Sequence, residues 1–282
     1  MKIDPADPHQ LQELLRRHRI TLKHRLGQNF LINAALRDAV AEGAAIGPTD
    51  DVLEVGAGVG TLTIALAERA RTVVAVELDK ALMPALRQVV AGRDNVEVVQ
   101  ADILRYDLNA AFPNGGEVVA GNIPYNLTGA LIPKLLDRAP RPTRLSLVVQ
   151  KEVADRWTAS ISASLATVAV QVFAVPRLAF TLPAAAFTPE PKVDSALVTL
   201  EVREQPAVQV EDMNGFLRFV EALFQFRRKQ IGGTVARIAA MPNADVGPSL
   251  RGIGIDPTRR PQTLTLPEWE ALYRAVNFRF GR

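Results

Sequence analysis

The 282-residue sequence predicts an α/β fold, a sheet-and-helix domain followed by a small helical one. Three observations carry this. Residues 51–60 read as a short apolar strand, Val52, Leu53 and Val55, running into three glycines, and residues 61–67 continue with helical spacing. Two further apolar strands, 72–79 and 96–100, each end in a polar group at the C-terminal edge. From about Gln205 the pattern changes, with Phe216, Phe219, Val220, Leu223 and Phe224 recurring at helical intervals.

Strand, glycine turn and helix is the arrangement by which an α/β sheet brings backbone to a ligand. The spacing here is Gly56-x-Gly58-x-Gly60. It differs from the Gly-x-Gly-x-x-Gly of dinucleotide folds, and alone it is also compatible with a plain βα turn. The next strand ends in Glu77 and Asp79, about 20 residues on, where an acid can hold ribose hydroxyls. The third ends at Asp102. Together they point to an S-adenosylmethionine (AdoMet) site. Glu77 takes the ribose, Asp102 the adenine amino group, and the glycine loop, with Gly56 and Gly58, the methionine end. The alternative is two surface acids at strand ends.

The chain before the first strand is polar and helical, with Leu11, Leu14 and Leu15 apolar. Residues 16–25 are basic without an acid, which suits either a solvated face or phosphate contact. Gly27 can turn, Gln28 and Asn29 offer uncharged amides, and Phe30 and Leu31 anchor a segment able to close over a cofactor. No run is apolar enough for a signal or membrane span. With no cysteine, disulfides and thiolate metal sites are excluded, and three scattered histidines disfavour a histidine metal site. A cytoplasmic, metal-free protein is expected. The net charge of +3 permits a nucleic-acid partner without arguing for one.

Residues 116–126 read as a fourth strand entering a rigid turn. Pro124 fixes its own φ and biases Ile123 towards extended backbone. Asn122 therefore leaves the sheet edge in a preset direction, with Tyr125 beside it. An amide oxygen can accept the hydrogens of an exocyclic adenine nitrogen and favour its attacking form. An aromatic ring can stack on a base lifted from its helix. Later, residues 145–150 read as a strand, 166–174 as strand-like because β-branched, and 196–202 as the final strand. Phe187 lies in a loop between Pro183 and Pro191, suiting an exposed stacking wall or, alternatively, core packing. Arg227, Arg228 and Lys229 follow the aromatic helix. They suit either RNA phosphate binding or favourable charge at a helix C-terminus.

Six motifs occur in order: Gly27-Gln-Asn-Phe-Leu31, Glu54-Val-Gly-Ala-Gly-Val-Gly60, Val76-Glu-Leu-Asp79, Asn122-Ile-Pro-Tyr-Asn126, Gln150-Lys-Glu-Val153 and Phe187-Thr-Pro-Glu-Pro-Lys-Val-Asp-Ser195. Together they resemble the ribosomal RNA adenine N6-dimethyltransferases, in particular the bacterial small-subunit (16S) branch, from about residue 20 to the C-terminus. The resemblance implies a Rossmann-like seven-stranded AdoMet-dependent methyltransferase domain over residues 1–204, with 1–25 as a basic helical lead. Residues 205–282 are implied to form a helical RNA-binding domain. AdoMet would be held by Gln28, Asn29, Leu31, Gly56, Gly58, Glu77, Asp102 and Asn122. Tyr125 would stack on one face of the target adenine and Phe187 on the other. The implied partners are small-subunit rRNA and the immature small ribosomal subunit, met by a monomer. Two rivals are a large-subunit rRNA adenine methyltransferase of the antibiotic-resistance type and a weakly catalytic ribosome-assembly factor. One segment departs from the family: residues 157–165 replace a loop that usually carries a Tyr-Gly pair. That change bears on target geometry and leaves the AdoMet residues intact.

Overall fold

A computed structural model describes residues 3–23, 26–125, 127–239 and 241–276. His24 and Arg25 of the basic stretch, and Asn126 of the proline turn, lie outside the described residues. In chain order the elements are α1 (Pro8–Arg17), β1 (Phe30–Leu31), α2 (Ala34–Gly43), β2 (Asp51–Val55), α3 (Thr61–Ala67), β3 (Thr72–Glu77), α4 (Met83–Val89), β4 (Val96–Gln100), α5 (Leu108–Ala111), β5 (Val118–Asn122), α6 (Thr128–Leu136), β6 (Arg144–Gln150), α7 (Lys151–Thr158), α8 (Leu165–Phe173), β7 (Ala174–Leu182), β8 (Phe187–Thr188), β9 (Ser195–Val202), α9 (Met213–Phe224), α10 (Ile231–Ile238), α11 (Asn243–Gly252) and α12 (Leu266–Val276).

The chain forms two compact units. One is built from the chain up to Asp155 together with Pro176–Val202, the other from Arg156–Val175 together with the chain from Arg203 onward. The second unit resumes at Arg203. Residues 156–175, however, group with the later helices and not with the first unit.

A seven-stranded sheet has the order β4-β3-β2-β5-β6-β9-β7. Strands β4, β3, β2, β5 and β6 are mutually parallel, and β9 runs antiparallel to β6 from Ser195 opposite Gln150 to Glu201 opposite Arg144. The parallel strands read as near-continuous apolar runs because helices cover both their faces. Val52, Leu53, Val55, Val118 and Val119 are all fully buried. Because these five strands share a direction, their C-terminal ends line one edge, and the chain order reverses between β2 and β5. Ligands of open α/β sheets bind at such a switch point.

The expected strand at 166–174 is instead helix α8. Ser164 caps it, its side chain accepting from the Thr167 N–H, and seven of its nine residues are buried. A helix apolar all round loses the 3.6-residue signal that would separate it from a buried strand. The sixth strand of the sheet in chain order is β7, Ala174–Leu182. Its Pro176 is tolerated because β7 lies at the sheet edge.

In the second unit, Phe216, Phe219, Val220 and Leu223 are fully buried, as the helical spacing predicts. Phe216 meets Tyr273 edge-on with ring centroids 5.5 Å apart, and Phe224 lies 5.3 Å from the buried Trp269. Trp157, expected in a loop, is on α7 and buried. No helix among the described residues is long and apolar enough to cross a membrane.

Candidate active site

A cavity opens at the C-terminal edge of β2, β3, β4 and β5, lined by the 26–31 segment, Glu54, Gly56, Glu77, Asp102, Asn122 and Tyr125, among others. All belong to the first unit.

Its floor is the glycine loop. Gly56, Gly58 and Gly60 have φ of 73°, 60° and 94°, left-handed values that favour glycine. At Gly58 space also decides, since a Cβ would stand 3.0 Å from the Phe30 ring. The Gly58 N–H donates to Glu77 Oε2 at 2.8 Å, and the Asp79 N–H to Glu77 Oε1 at 2.7 Å. One carboxylate at the end of β3 thus ties the loop after β2 to its own strand end. Glu77 is 8% exposed. Burial raises its carboxyl above the ordinary value, and the two N–H groups oppose that by favouring the ionised form. Each oxygen keeps a further lone pair with which to accept a hydroxyl.

Glu54, on β2 just before the glycines, lines the cavity and was given no role by the sequence reading. It is 1% exposed, and its Oε2 has no hydrogen-bond partner. Burial pushes its pKa to about 8, and the neighbouring Glu77 adds to the rise. The available signal was an acid inside an otherwise apolar strand, where an unpaired charge is costly.

A roof lies over the floor. Asn122, the last residue of β5, donates from Nδ2 to the Asn29 carbonyl at 2.8 Å. This orients the amide and leaves its Oδ1 as the acceptor. Gln28 is committed at both ends of its amide: Nε2 donates to Asp79 Oδ2 at 2.9 Å, and Oε1 accepts from the Lys23 N–H at 2.7 Å. Lys23 Nζ lies 2.6 Å from Asp79 Oδ1. Gln28 therefore clasps the segment to the end of β3 and also lines the cavity, where a second N–H and a second lone pair of its amide remain. Lys23 and Asp79 are the partners that sequence reading missed, because a clasp between residues 56 apart has no local pattern. Asp102 accepts from its own Leu104 N–H at 3.0 Å, and its Oδ2 is 3.8 Å from Arg105 Nε.

Leu31 lies on the cavity wall and is buried. Tyr125 also lines the cavity, and its hydroxyl is 2.7 Å from Ser195 Oγ. Phe187 does not match the exposed wall expected of it. It is 2% exposed, sits in the main core cluster, and does not line the cavity. On β8 it pairs with Leu31 of β1, and that pairing holds its side chain inward. Arg227, Arg228 and Lys229 are exposed, in the turn just past α9 in the second unit.

The lining fits AdoMet. The cavity holds the Glu77 carboxyl, with lone pairs free for hydroxyls, and a buried Glu54 oxygen with no partner among the described residues, beside a glycine loop that leaves room for a ligand.

Residues 19–255 match the family of ribosomal RNA adenine dimethylases. The chain belongs to that family. Among curated relatives of this adenine dimethylase, ribosomal RNA small subunit methyltransferase A of Pelotomaculum thermopropionicum is 39% identical over 281 residues, covering 95% of each chain. The protein of the same name from Geobacillus thermodenitrificans is 35% identical and covers 98% of each. Among solved structures, the 23S rRNA methyltransferase ErmE superposes with a TM-score of 0.67 at 29% identity, over 88% of this chain and 99% of that one. A dimethyladenosine transferase from Plasmodium falciparum superposes at 0.70 with 23% identity, over 87% and 98%, and so shares the fold. The adenine dimethylase thus has the Rossmann-like methyltransferase architecture that the glycine loop and strand ends imply.

Proposed function

We propose that this enzyme transfers methyl groups from AdoMet to N6 of adenines in small-subunit rRNA, twice per target. One observation carries the reading. Asn122 and Tyr125, on the rigid turn after β5, open onto the same cavity as the glycine loop and Glu77. A donor site and an acceptor for an exocyclic amine therefore share one space. The small-subunit target is favoured over the large-subunit rival by full-length relatives bearing that name.

AdoMet would supply a sulfonium-bound methyl whose carbon the neutral amine attacks directly, the C–S bond breaking as the N–C bond forms and S-adenosylhomocysteine leaving. The chain's task is to hold the partners in line. Glu77 receives the ribose hydroxyls, Asp102 the cofactor's adenine amino group, and the glycine loop the methionine end, with Asn29 and Leu31 closing the roof. Asn122 Oδ1 accepts the hydrogens of the target amine, and no strong base is required because the proton leaves after attack. Tyr125 supplies a face for the flipped base.

The test is to map N6,N6-dimethyladenosine in small-subunit rRNA from cells with and without the gene. The modification should be present only with it. A protein that binds AdoMet and precursor subunits yet leaves every adenine unmethylated would be an assembly factor instead. A second test addresses the cofactor: Glu77→Ala should weaken AdoMet by about 1.5–3 kcal/mol, as for hydrogen bonds to a charged group. Calorimetry on the folded variant that finds unchanged affinity rejects the assignment.

We further infer that the second unit contributes RNA binding, and that the enzyme meets the immature small subunit in the cytoplasm as a monomer. The exposed cations at 227–229 support the RNA contact. Replacing all three with alanine should lower the salt slope of RNA binding by roughly two to three and leave AdoMet affinity alone. An unchanged slope would return them to the role of helix-end charge.

A further inference from the structure

Tyr125 follows Pro124 on the turn after β5, and its backbone alone does not set the plane of its ring. The structure supplies a second point of attachment. The phenol oxygen lies 2.7 Å from Ser195 Oγ, and Ser195 is 0% exposed. Ser195 opens β9, opposite Gln150 at the end of β6, while Asn122 on β5 stands opposite Val148 of the same β6. The Tyr125 side chain therefore reaches across the C-terminal end of β6 from one neighbouring strand to the other. Its anchor is firmly held. The adjacent Asp194 carbonyl accepts from the Lys151 N–H at 3.0 Å, and its carboxylate accepts from the Ala184 N–H at 2.9 Å. Among the described residues Tyr125 is the partner of this buried Ser195 hydroxyl, so the bond satisfies both groups.

We propose that Ser195 is a positioning residue: through the Tyr125 hydroxyl it sets the plane of the ring against which the target adenine stacks. This rests on the reading that Tyr125 is that ring. A ring pinned at both ends presents one face to the incoming base, with no orientation to select during capture. Partial burial also raises the phenol's pKa, so the hydroxyl stays protonated and able to share the bond. The tip of the ring is thereby as much a part of the device as its face, and phenylalanine is not an equivalent residue at 125.

The experiment is a double-mutant cycle on methyl transfer to immature small subunits prepared from cells lacking a functional enzyme of this family. Ser195→Ala and Tyr125→Phe should each lower kcat roughly threefold to tenfold, the range expected from one neutral hydrogen bond. KM for the subunit, and AdoMet affinity by calorimetry, should not move. The double variant should be no slower than either single one, and Ser195→Thr, which keeps a hydroxyl, should recover much of the rate. Should Ser195→Ala fail to fold, Tyr125→Phe removes the same bond from the partly exposed side and decides the matter. A Tyr125→Phe enzyme as fast as wild type, while Tyr125→Ala is slow, overturns the role of Ser195 and leaves stacking intact. So do multiplicative losses in the double variant, or losses that appear as weaker AdoMet binding. A Tyr125→Ala enzyme with full activity overturns the stacking reading itself.

Discussion

Asn122→Ala should lower the rate of methyl transfer on the order of a hundredfold or more, the loss typical of one preorganised polar contact in a closed site. The amide is not free to turn. Its Nδ2 is held by the Asn29 carbonyl, so Oδ1 remains the acceptor before any substrate arrives. Alanine removes that acceptor together with the strut to the roof segment. Binding of the immature subunit should persist, since phosphate contacts elsewhere carry most of the affinity for RNA. Single-turnover transfer, read by mass spectrometry of nucleosides, measures the rate, and filter binding measures the RNA. A loss confined to RNA binding, with the bound rate intact, would remove Asn122 from the chemistry. Asn122→Asp separates the two functions: it keeps acceptor oxygens but cannot donate to the Asn29 carbonyl, so a slow Asp variant would show that the strut matters as well.

A second large effect concerns stability against pH. Glu54 has its pKa raised from the ordinary 4.5 to about 8 by burial. The folded state therefore binds its proton more tightly than the unfolded state does. Stability from this group is fully present below about pH 4.5 and is lost progressively as pH rises towards 8. A tenfold difference in proton affinity is about 1.4 kcal/mol, so ligand-free protein should lose a few kcal/mol over that window. Glu77, whose carboxyl is raised in the same direction, adds to the slope. Glu54→Gln is neutral at every pH and nearly isosteric, so urea unfolding measured across that range should show a flatter dependence. Parallel curves for wild type and variant would mean that Glu54 is charged in the folded protein.

The parts of the site legible in the sequence were those written locally. A glycine triplet between strand and helix, acids at strand ends and a proline after an asparagine each declare their geometry within a few residues, and the cavity collects them. What sequence reading missed depends on residues far apart. The Lys23–Gln28–Asp79 clasp and the Tyr125–Ser195 bond join segments with no shared pattern. Phe187 illustrates the same limit. Prolines around it suggested an exposed wall, but its burial follows from pairing with β1, which lies at the other end of the domain's sequence. The helix at 165–173 was misread for a different reason. Its surroundings are apolar on all sides, so no amphipathic stripe remained to mark its period.

The two-residue ladder between β1 and β8 has a consequence for how the protein is made. Among the described residues, those lining the cavity all precede 149, yet Phe30 and Leu31 pair with Thr188 and Phe187. A ribosome that has released β6 has released the whole lining without the strand that steadies its roof. Pairing across so long a stretch of chain is slow to form. The site should therefore mature late in synthesis, and a fragment ending near residue 150 would contain every lining residue and still bind the methyl donor poorly.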